Sequence, residues 1–160
     1  MITQLLDDLG IENPEKYLKD FAFGKLLESN TLQQAFDISI EQMDLYYRDA
    51  YTFYEQEQFK LAVDSFQALC ILDPFFKKHW MGLGGAAQMM QNYEKALRAY
   101  GMASLLDDDD PYPHFYAYQC LSATQQNEDA QKALNLAVER CNSSIYLSLK
   151  KKIREKLQIL

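Results

Sequence analysis

Little in this chain breaks a helix. The 160 residues include only 6 Gly and 4 Pro, a scarcity that argues against strands and tight turns and favours long helices. Cysteine is equally rare. Cys70, Cys120 and Cys141 are odd in number and widely spaced, which reads poorly as a disulfide framework. Cys70 sits among apolar neighbours in Ala68, Leu69 and Ile71; small buried thiols are the expected reading, and this usage suggests a reducing compartment. Basic residues are outnumbered, Lys+Arg 16 against Asp+Glu 23, giving a net charge of −7. That balance argues against a surface built to collect nucleic-acid phosphates or anionic lipid. No run approaches the ~18 uncharged apolar residues of a membrane span. No basic flank precedes an apolar run at the N-terminus, so no secretory signal is expected. These absences point to a soluble, cytoplasmic protein that does not insert into membranes.

The residues of catalysis are also thin. The two histidines, His79 and His114, have no Cys or carboxylate partners at ligand spacing, so no metal site is expected. There is no Gly-x-x-x-x-Gly-Lys loop, no Gly-x-Ser-x-Gly elbow and no evident nucleophile–base pair. Asp107–Asp110 lacks the spacing and glycine of a calcium loop and reads as a solvated, self-repelling linker. The expectation is a protein that is not an enzyme and needs no cofactor.

What is present is a core and a repeat. Hydrophobic residues make up 48%, which excludes a disordered chain, and the length suits one domain with its own core. Ala62, Ala96 and Ala130 stand 34 residues apart, twice over. Four places after them come Phe66, Tyr100 and Leu134, and sixteen places before them Tyr46, Trp80 and His114. A 34-residue period with Trp-x-x-Leu-Gly, then Ala-x-x-x-aromatic, then Pro is the tetratricopeptide signature. Residues 75–110 show it best, in Trp80, Leu83, Gly84, Ala96 and Tyr100. Residues 39–74 keep Tyr46, Ala50, Phe53, Ala62 and Phe66 and end at Pro74; in 111–141, Tyr118 replaces the small residue.

The period is a packing rule. Small residues such as Ala50 and Gly84 let the first helix of each pair approach the second, and the large residues fill the gaps. Tyr46, Ala50 and Phe53 should therefore face the partner helix. Ser39 and Gln42 form a capping box, with Ile38 and Met43 placed as a hydrophobic staple. Helices are predicted over 40–55 and 59–72, 77–90 and 93–105, 112–124 and 128–141. The fold class is all-α: three tetratricopeptide helix pairs in a concave α-solenoid. A helix over 142–160 should cap it, with Ile145, Leu149, Ile153 and Leu157 on one stripe and lysines on the other. Ahead lies a helical segment over 1–38, with a short helix after Thr31. Its apolar excess at Leu5, Leu6, Leu9, Leu18 and Phe21 predicts self-association, hence a homodimer.

A narrower likeness joins the repeat. Tyr46-x-x-x-Ala50-Tyr51-x-Phe53-Tyr54 precedes Phe66-x-x-Leu69-Cys70-Ile71-Leu72-Asp73. Met81-Gly82-Leu83-Gly84, Asp110-x-x-Pro113 and Tyr116-x-x-x-Cys120 follow. Over roughly residues 28–140 this resembles the class II type III secretion chaperones, the LcrH/SycD type of tetratricopeptide chaperone. The resemblance implies an all-helical, cytoplasmic bacterial protein without ATP hydrolysis, often dimeric through its N-terminal helices. It implies a virulence-associated chaperone that keeps membrane-inserting translocators soluble before export. An extended client segment with apolar anchors would lie in the concave face.

The residues suggest the same groove. The first helix of each pair lines the concave face in such arrays, and a stripe beside the packing positions carries surplus aromatics. It comprises Tyr47, Tyr51 and Tyr54, then Lys78, Met81, Gly85, Gln88 and Met89, then Phe115, Tyr116 and Gln119. Tyrosine gives a large, stiff, amphipathic contact, methionine adapts to varied anchors, and Gly85 would leave a pocket. The other occupant to consider is the protein's own N-terminal segment. The rival function is a general tetratricopeptide adaptor that binds a peptide of a cytosolic partner. Clamps for a terminal carboxylate use Lys, Asn and Arg, whereas this stripe has Tyr47, Tyr51, Gly82, Tyr112 and Tyr116.

Overall fold

The computed structural model describes residues 29–141 and 143–157; Leu5, Leu6, Leu9, Leu18 and Phe21 lie outside the described residues. Eight α-helices and one 3₁₀ turn make up the described chain, with no strand among them. A short α1 (Leu32–Ala35) leads into three antiparallel pairs: α2 (Ile40–Glu55) with α3 (Phe59–Leu72), α4 (Lys77–Met89) with α5 (Tyr93–Leu106), and α6 (Pro111–Ala123) with α7 (Asn127–Arg140). The 3₁₀ turn Ser144–Tyr146 and α8 (Leu147–Leu157) close the array.

Local chemistry sets the boundaries. The capping box at α2 is complete: Gln42 N–H donates to Ser39 Oγ, and Ser39 N–H donates to Gln42 Oε1. Asn92 caps α5 by accepting from Lys95 N–H, and Asp110 caps α6 by accepting from Tyr112 N–H ahead of Pro111. The turn inside every pair is built alike. Glu57, Gln91 and Gln125 adopt φ of 58°, 59° and 60°. The next residues, Gln58, Asn92 and Gln126, return their N–H groups to Phe53, Ala87 and Leu121 carbonyls. This is the Schellman arrangement, here without glycine.

The main core runs through the first two pairs and into the third. Ala50, Ala62, Phe66, Leu69, Leu83, Ala86, Ala87, Ala96, Ala99, Tyr100 and Cys120 are all buried there. Gly84 is needed for this closeness, because a Cβ on it would come within 2.5 Å of the Tyr100 ring. In the third pair Tyr118 stands where Gly84 would be, and the facing large residue has shrunk to the fully buried Leu134. Bulk has moved from the second helix to the first.

Several expectations require correction. Tyr46 is not buried against α3: it is 46% exposed and lines an open cleft between α2 and α3 with Asp49, Phe53, Ser65, Ala68, Leu69 and Leu72. Met43 and Ala50 supply the buried contacts of α2 instead. Ile145 is exposed, because the chain makes a 3₁₀ turn before α8, whereas Leu149 and Ile153 of that stripe are buried. The aspartate run is not merely a repelling linker. Lys77 Nζ donates to Asp107 and Asp110 carboxylates, and Arg140 donates to the Asp108 carbonyl and carboxylate. The run ties α4 and α7 across the junction of two pairs.

Candidate functional site

The first helices of the three pairs share one open face, and a cavity of about 370 Å³ opens on it. Its walls are Tyr47, Tyr51 and Tyr54 from α2, Met81, Gly82, Gly85, Gln88 and Met89 from α4, and Tyr116 and Gln119 from α6. Phe66 from α3 and Tyr100 from α5 complete the lining. The expected groove residues thus converge, with two exceptions.

Phe115 is the first. It is 3% exposed and packs with Leu134, Ala137, Leu149 and Ile153, while Lys152 Nζ sits 5.6 Å from its ring centroid. A helix face is wide enough for Phe115 and Tyr116 to share a stripe on paper, but α8 claims the phenylalanine. Lys78 is the second. It is exposed, its Nζ lies 5.9 Å from the Phe76 ring centroid, and it does not line the cavity.

Phe66 and Tyr100 fill the core at the large positions of the repeat, yet both also line the cavity. Glycine is the reason. A Cβ on Gly82 would lie 2.4 Å from the Phe66 ring, and one on Gly84 2.5 Å from the Tyr100 ring. Each ring therefore reaches past a bare stretch of α4 backbone toward the open face. Gly85 differs. Its Cβ would meet only Tyr54, at 3.8 Å, so it leaves an indentation in the cavity wall.

Aromatic contacts stiffen the walls. Tyr47 meets Phe66 edge-on with centroids 5.6 Å apart, Tyr51 stacks on Tyr54 at 6.2 Å, and Tyr100 stacks on Tyr116 at 5.5 Å. Such pairs hold ring orientation as well as burying area. Tyr51 stays 47% exposed and available for contact. Burial pushes the phenols of Tyr47, Tyr100 and Tyr116 upward, so they remain neutral. The polar part of the floor is a short chain: Tyr100 Oη donates to Gln88 Oε1 at 2.8 Å, and Gln88 Nε2 donates to Gln119 Oε1 at 3.0 Å. Among the described residues no side chain lining the cavity carries a charge.

The histidines serve packing. His79 is buried, its Nδ1 lies 3.1 Å from the Asp73 carbonyl oxygen, and burial lowers its pKa. His114 is lowered by burial and by Arg140. Among the described residues no group of His, Cys, Asp or Glu is placed to hold a metal ion. No helix among them is long and apolar enough to cross a membrane.

Stacked helix pairs with an aromatic inner face define a tetratricopeptide array, and the comparisons narrow the class. The tetratricopeptide repeat family matches residues 43–74 and 78–110. Low calcium response locus protein H of Yersinia pestis is 30% identical over 109 residues, which are 68% of this chain and 65% of that protein. The chain thus spans just under two thirds of that relative's length. A chain of the solved CopN–Scc3 complex is 37% identical, with a TM-score of 0.77, over 79% of this chain and 75% of that one. The Yersinia enterocolitica type III secretion chaperone SycD, solved with a peptide of the translocator YopD, is 28% identical with a TM-score of 0.72. That match covers 76% of this chain and 94% of SycD, which has also been solved as an alternative dimer. This chain belongs to the tetratricopeptide chaperones of type III secretion, the LcrH/SycD type.

Proposed function

We propose that this protein is a cytoplasmic type III secretion chaperone. It binds a hydrophobic translocator through an extended segment in the concave groove and keeps that client soluble until export. The observation that carries this reading is the groove itself. Tyr47, Tyr51, Tyr54, Met81, Met89 and Tyr116 converge there around the gap at Gly85, with no charged side chain among the described residues to select a terminus. An apolar wall with one indentation suits a chain that inserts a few side-chain anchors. SycD's solved complex with a YopD peptide supports the same assignment.

Residues 1–38 are proposed to mediate self-association through Leu5, Leu6, Leu9, Leu18 and Phe21, which would make the working form a homodimer. Sedimentation of the full chain at micromolar concentration tests that part, and a monomer would refute it.

The client assignment is tested by capture. The tagged chain, expressed in the bacterium that carries its gene, should co-purify with a secreted protein bearing long apolar stretches. Short overlapping peptides tiling that partner should contain one segment that binds. Gly85→Trp should lose that peptide while keeping its helical circular dichroism. Recovery of a cytosolic heat-shock protein instead, or unchanged binding by folded Gly85→Trp, would overturn the reading.

A further inference from the structure

Besides its tyrosine hydroxyls, the groove carries one chain of side-chain hydrogen bonds, and in the structure that chain runs in one direction. Tyr100 is buried, and its hydroxyl donates to Gln88 Oε1 at 2.8 Å. With its oxygen engaged, Gln88 turns Nε2 toward Gln119 and donates to Oε1 at 3.0 Å. The oxygen of Gln119 is therefore used as well. Its Nε2 meets no acceptor among the described residues, and Gln119 lines the cavity. In this arrangement the donor left at the groove end of the relay is Gln119 Nε2.

We infer that Gln119 reads the main chain of the bound client, donating from Nε2 to one backbone carbonyl of the extended segment. Tyr100 and Gln88 are positioning residues for that donor. This inference rests on the client reading above and assigns its one polar contact. An extended segment carries a carbonyl at every residue, and an apolar groove leaves those carbonyls without water. Each carbonyl left unpaired opposes binding, so a fixed neutral donor at the groove edge favours main chain in a defined register. A neutral amide does not select a charged side chain or a free terminus. It is compatible with clients of different sequence that share extended backbone, while the apolar pockets beside Gly85 choose the anchors.

The experiment uses the full chain and the binding peptide mapped from its captured partner. A set of analogues replaces each backbone amide in turn by an ester, which makes the preceding carbonyl a weaker acceptor. Wild type should lose roughly three- to tenfold in affinity at one ester position above the neighbouring positions. Gln119→Glu keeps the oxygen that accepts from Gln88 and the side-chain size, but it removes the donor. It should bind the parent peptide at least about threefold more weakly and show no extra loss at that ester position. Tyr100→Phe, which frees Gln88 to rotate, should shrink the same coupling.

Equal ester penalties in wild type and Gln119→Glu at every position would overturn the backbone contact while leaving the groove reading intact. A coupling that moves with a client side-chain substitution and not with any ester would overturn it in favour of side-chain readout. Full coupling in folded Tyr100→Phe would remove the relay as the positioning device. Failure of every tiled peptide to bind wild type would instead refute the client reading on which this inference stands. Gln119→Leu provides a second donor-free variant should Gln119→Glu fail to fold.

Discussion

Gly84 and Tyr100 share a space that one methyl group would overfill: a Cβ on the glycine would stand 2.5 Å from Cε1 of the tyrosine. Gly82 has the same relation to Phe66, at 2.4 Å, whereas Gly85 has only Tyr54, at 3.8 Å. Three glycines within four residues of one helix thus do different work. Alanine at Gly82 or Gly84 gains helix propensity of up to about 1 kcal/mol. Overpacking a buried ring costs roughly 1–3 kcal/mol and should win. Gly82→Ala and Gly84→Ala are expected to lower the melting temperature, while Gly85→Ala should match or exceed wild type. Tyr100→Leu should partly rescue Gly84→Ala, because the third pair already combines Tyr118 with Leu134. Equal melting of all three alanine variants would show that α4 shifts away at little cost.

The turns inside the pairs give a stabilising prediction. Glu57, Gln91 and Gln125 each hold a left-handed conformation that strains a side chain and suits glycine. Glycine at Gln91 should raise stability by about 0.5–1 kcal/mol after its greater unfolded-state freedom is counted. Valine there should do the reverse, since branching at Cβ worsens the clash. Denaturant titration of Gln91→Gly and Gln91→Val reads both signs.

Much of this architecture was legible in the sequence, for identifiable reasons. The capping box at Ser39 and Pro74 after Leu72 bracket the first pair, and the structure begins α2 at Ile40 and ends α3 at Leu72. The 34-residue period located the breaks between helices. It did not reveal their left-handed residues, because Glu and Gln carry no turn signal. The concave stripe was found from spacing alone, but spacing does not say which neighbour arrives. Phe115 and Tyr116 are adjacent; α8 buries one, and the other stacks on Tyr100 at the groove. Phe66 and Tyr100 were missed as lining because a repeat position names the helix a ring packs against. It does not show that a facing glycine lets the ring reach through. The clue was present, since Gly82 and Gly84 lie opposite the two large residues of the repeat. Tyr46 borders α3 as the period implies but stays half exposed, because no preceding described pair covers that position.

The bridge from Lys77 to Asp107 and Asp110 should matter in a defined pH window. Partial burial works against the Lys77 ammonium, but its bonds to Asp107 and Asp110 outweigh this and raise its pKa. The hydrogen bond from Lys77 holds Asp107 below its usual range. Lys77→Met should cost roughly 1 kcal/mol near neutrality, a modest figure because the Asp107 side chain is 43% exposed. A lowered carboxylate contributes stability above its ordinary value and loses it as pH falls through the folded one. A raised lysine contributes below its ordinary value and loses it as pH rises through the folded one. The difference between wild type and Lys77→Met should therefore be flat from about pH 5 to 9 and shrink below about pH 4. Chemical denaturation across that range measures it, and a difference that grew in acid would contradict the assignment.

The thiols report opening of the array. Burial pushes Cys70 up to about 12 and Cys120 up to about 11, so neither provides much thiolate at mildly alkaline pH. Folded protein should react slowly with a thiol reagent, and denaturant should release all three cysteines. Cys141 follows α7, and Lys150 partly opposes its upward shift; it should label first. Mass spectrometry after timed labelling gives the order. Fast modification of Cys70 would mean that the first pair opens at low cost.

Client binding should depend little on salt. Among the described residues no cavity-lining side chain is charged, and burial raises the pKa values of Tyr47, Tyr100 and Tyr116, which keeps them neutral. Affinity then comes from apolar anchors and, by the inference above, one neutral hydrogen bond, neither of which is screened by ions as surface charge pairs are. The chain's net charge of −7 bears on approach more than on the bound state. Raising salt from low to physiological strength should therefore change the association rate of a charged client peptide and leave its dissociation rate nearly constant. Truncating a buried anchor should do the opposite, speeding dissociation and costing roughly 2 kcal/mol or more, about thirtyfold in affinity. Surface-binding kinetics with wild type and Tyr51→Ala at several salt concentrations separate the two effects. A dissociation rate that climbs steeply with salt would place the client on a charged surface, such as the lysine-bearing face of α8, instead of in the groove.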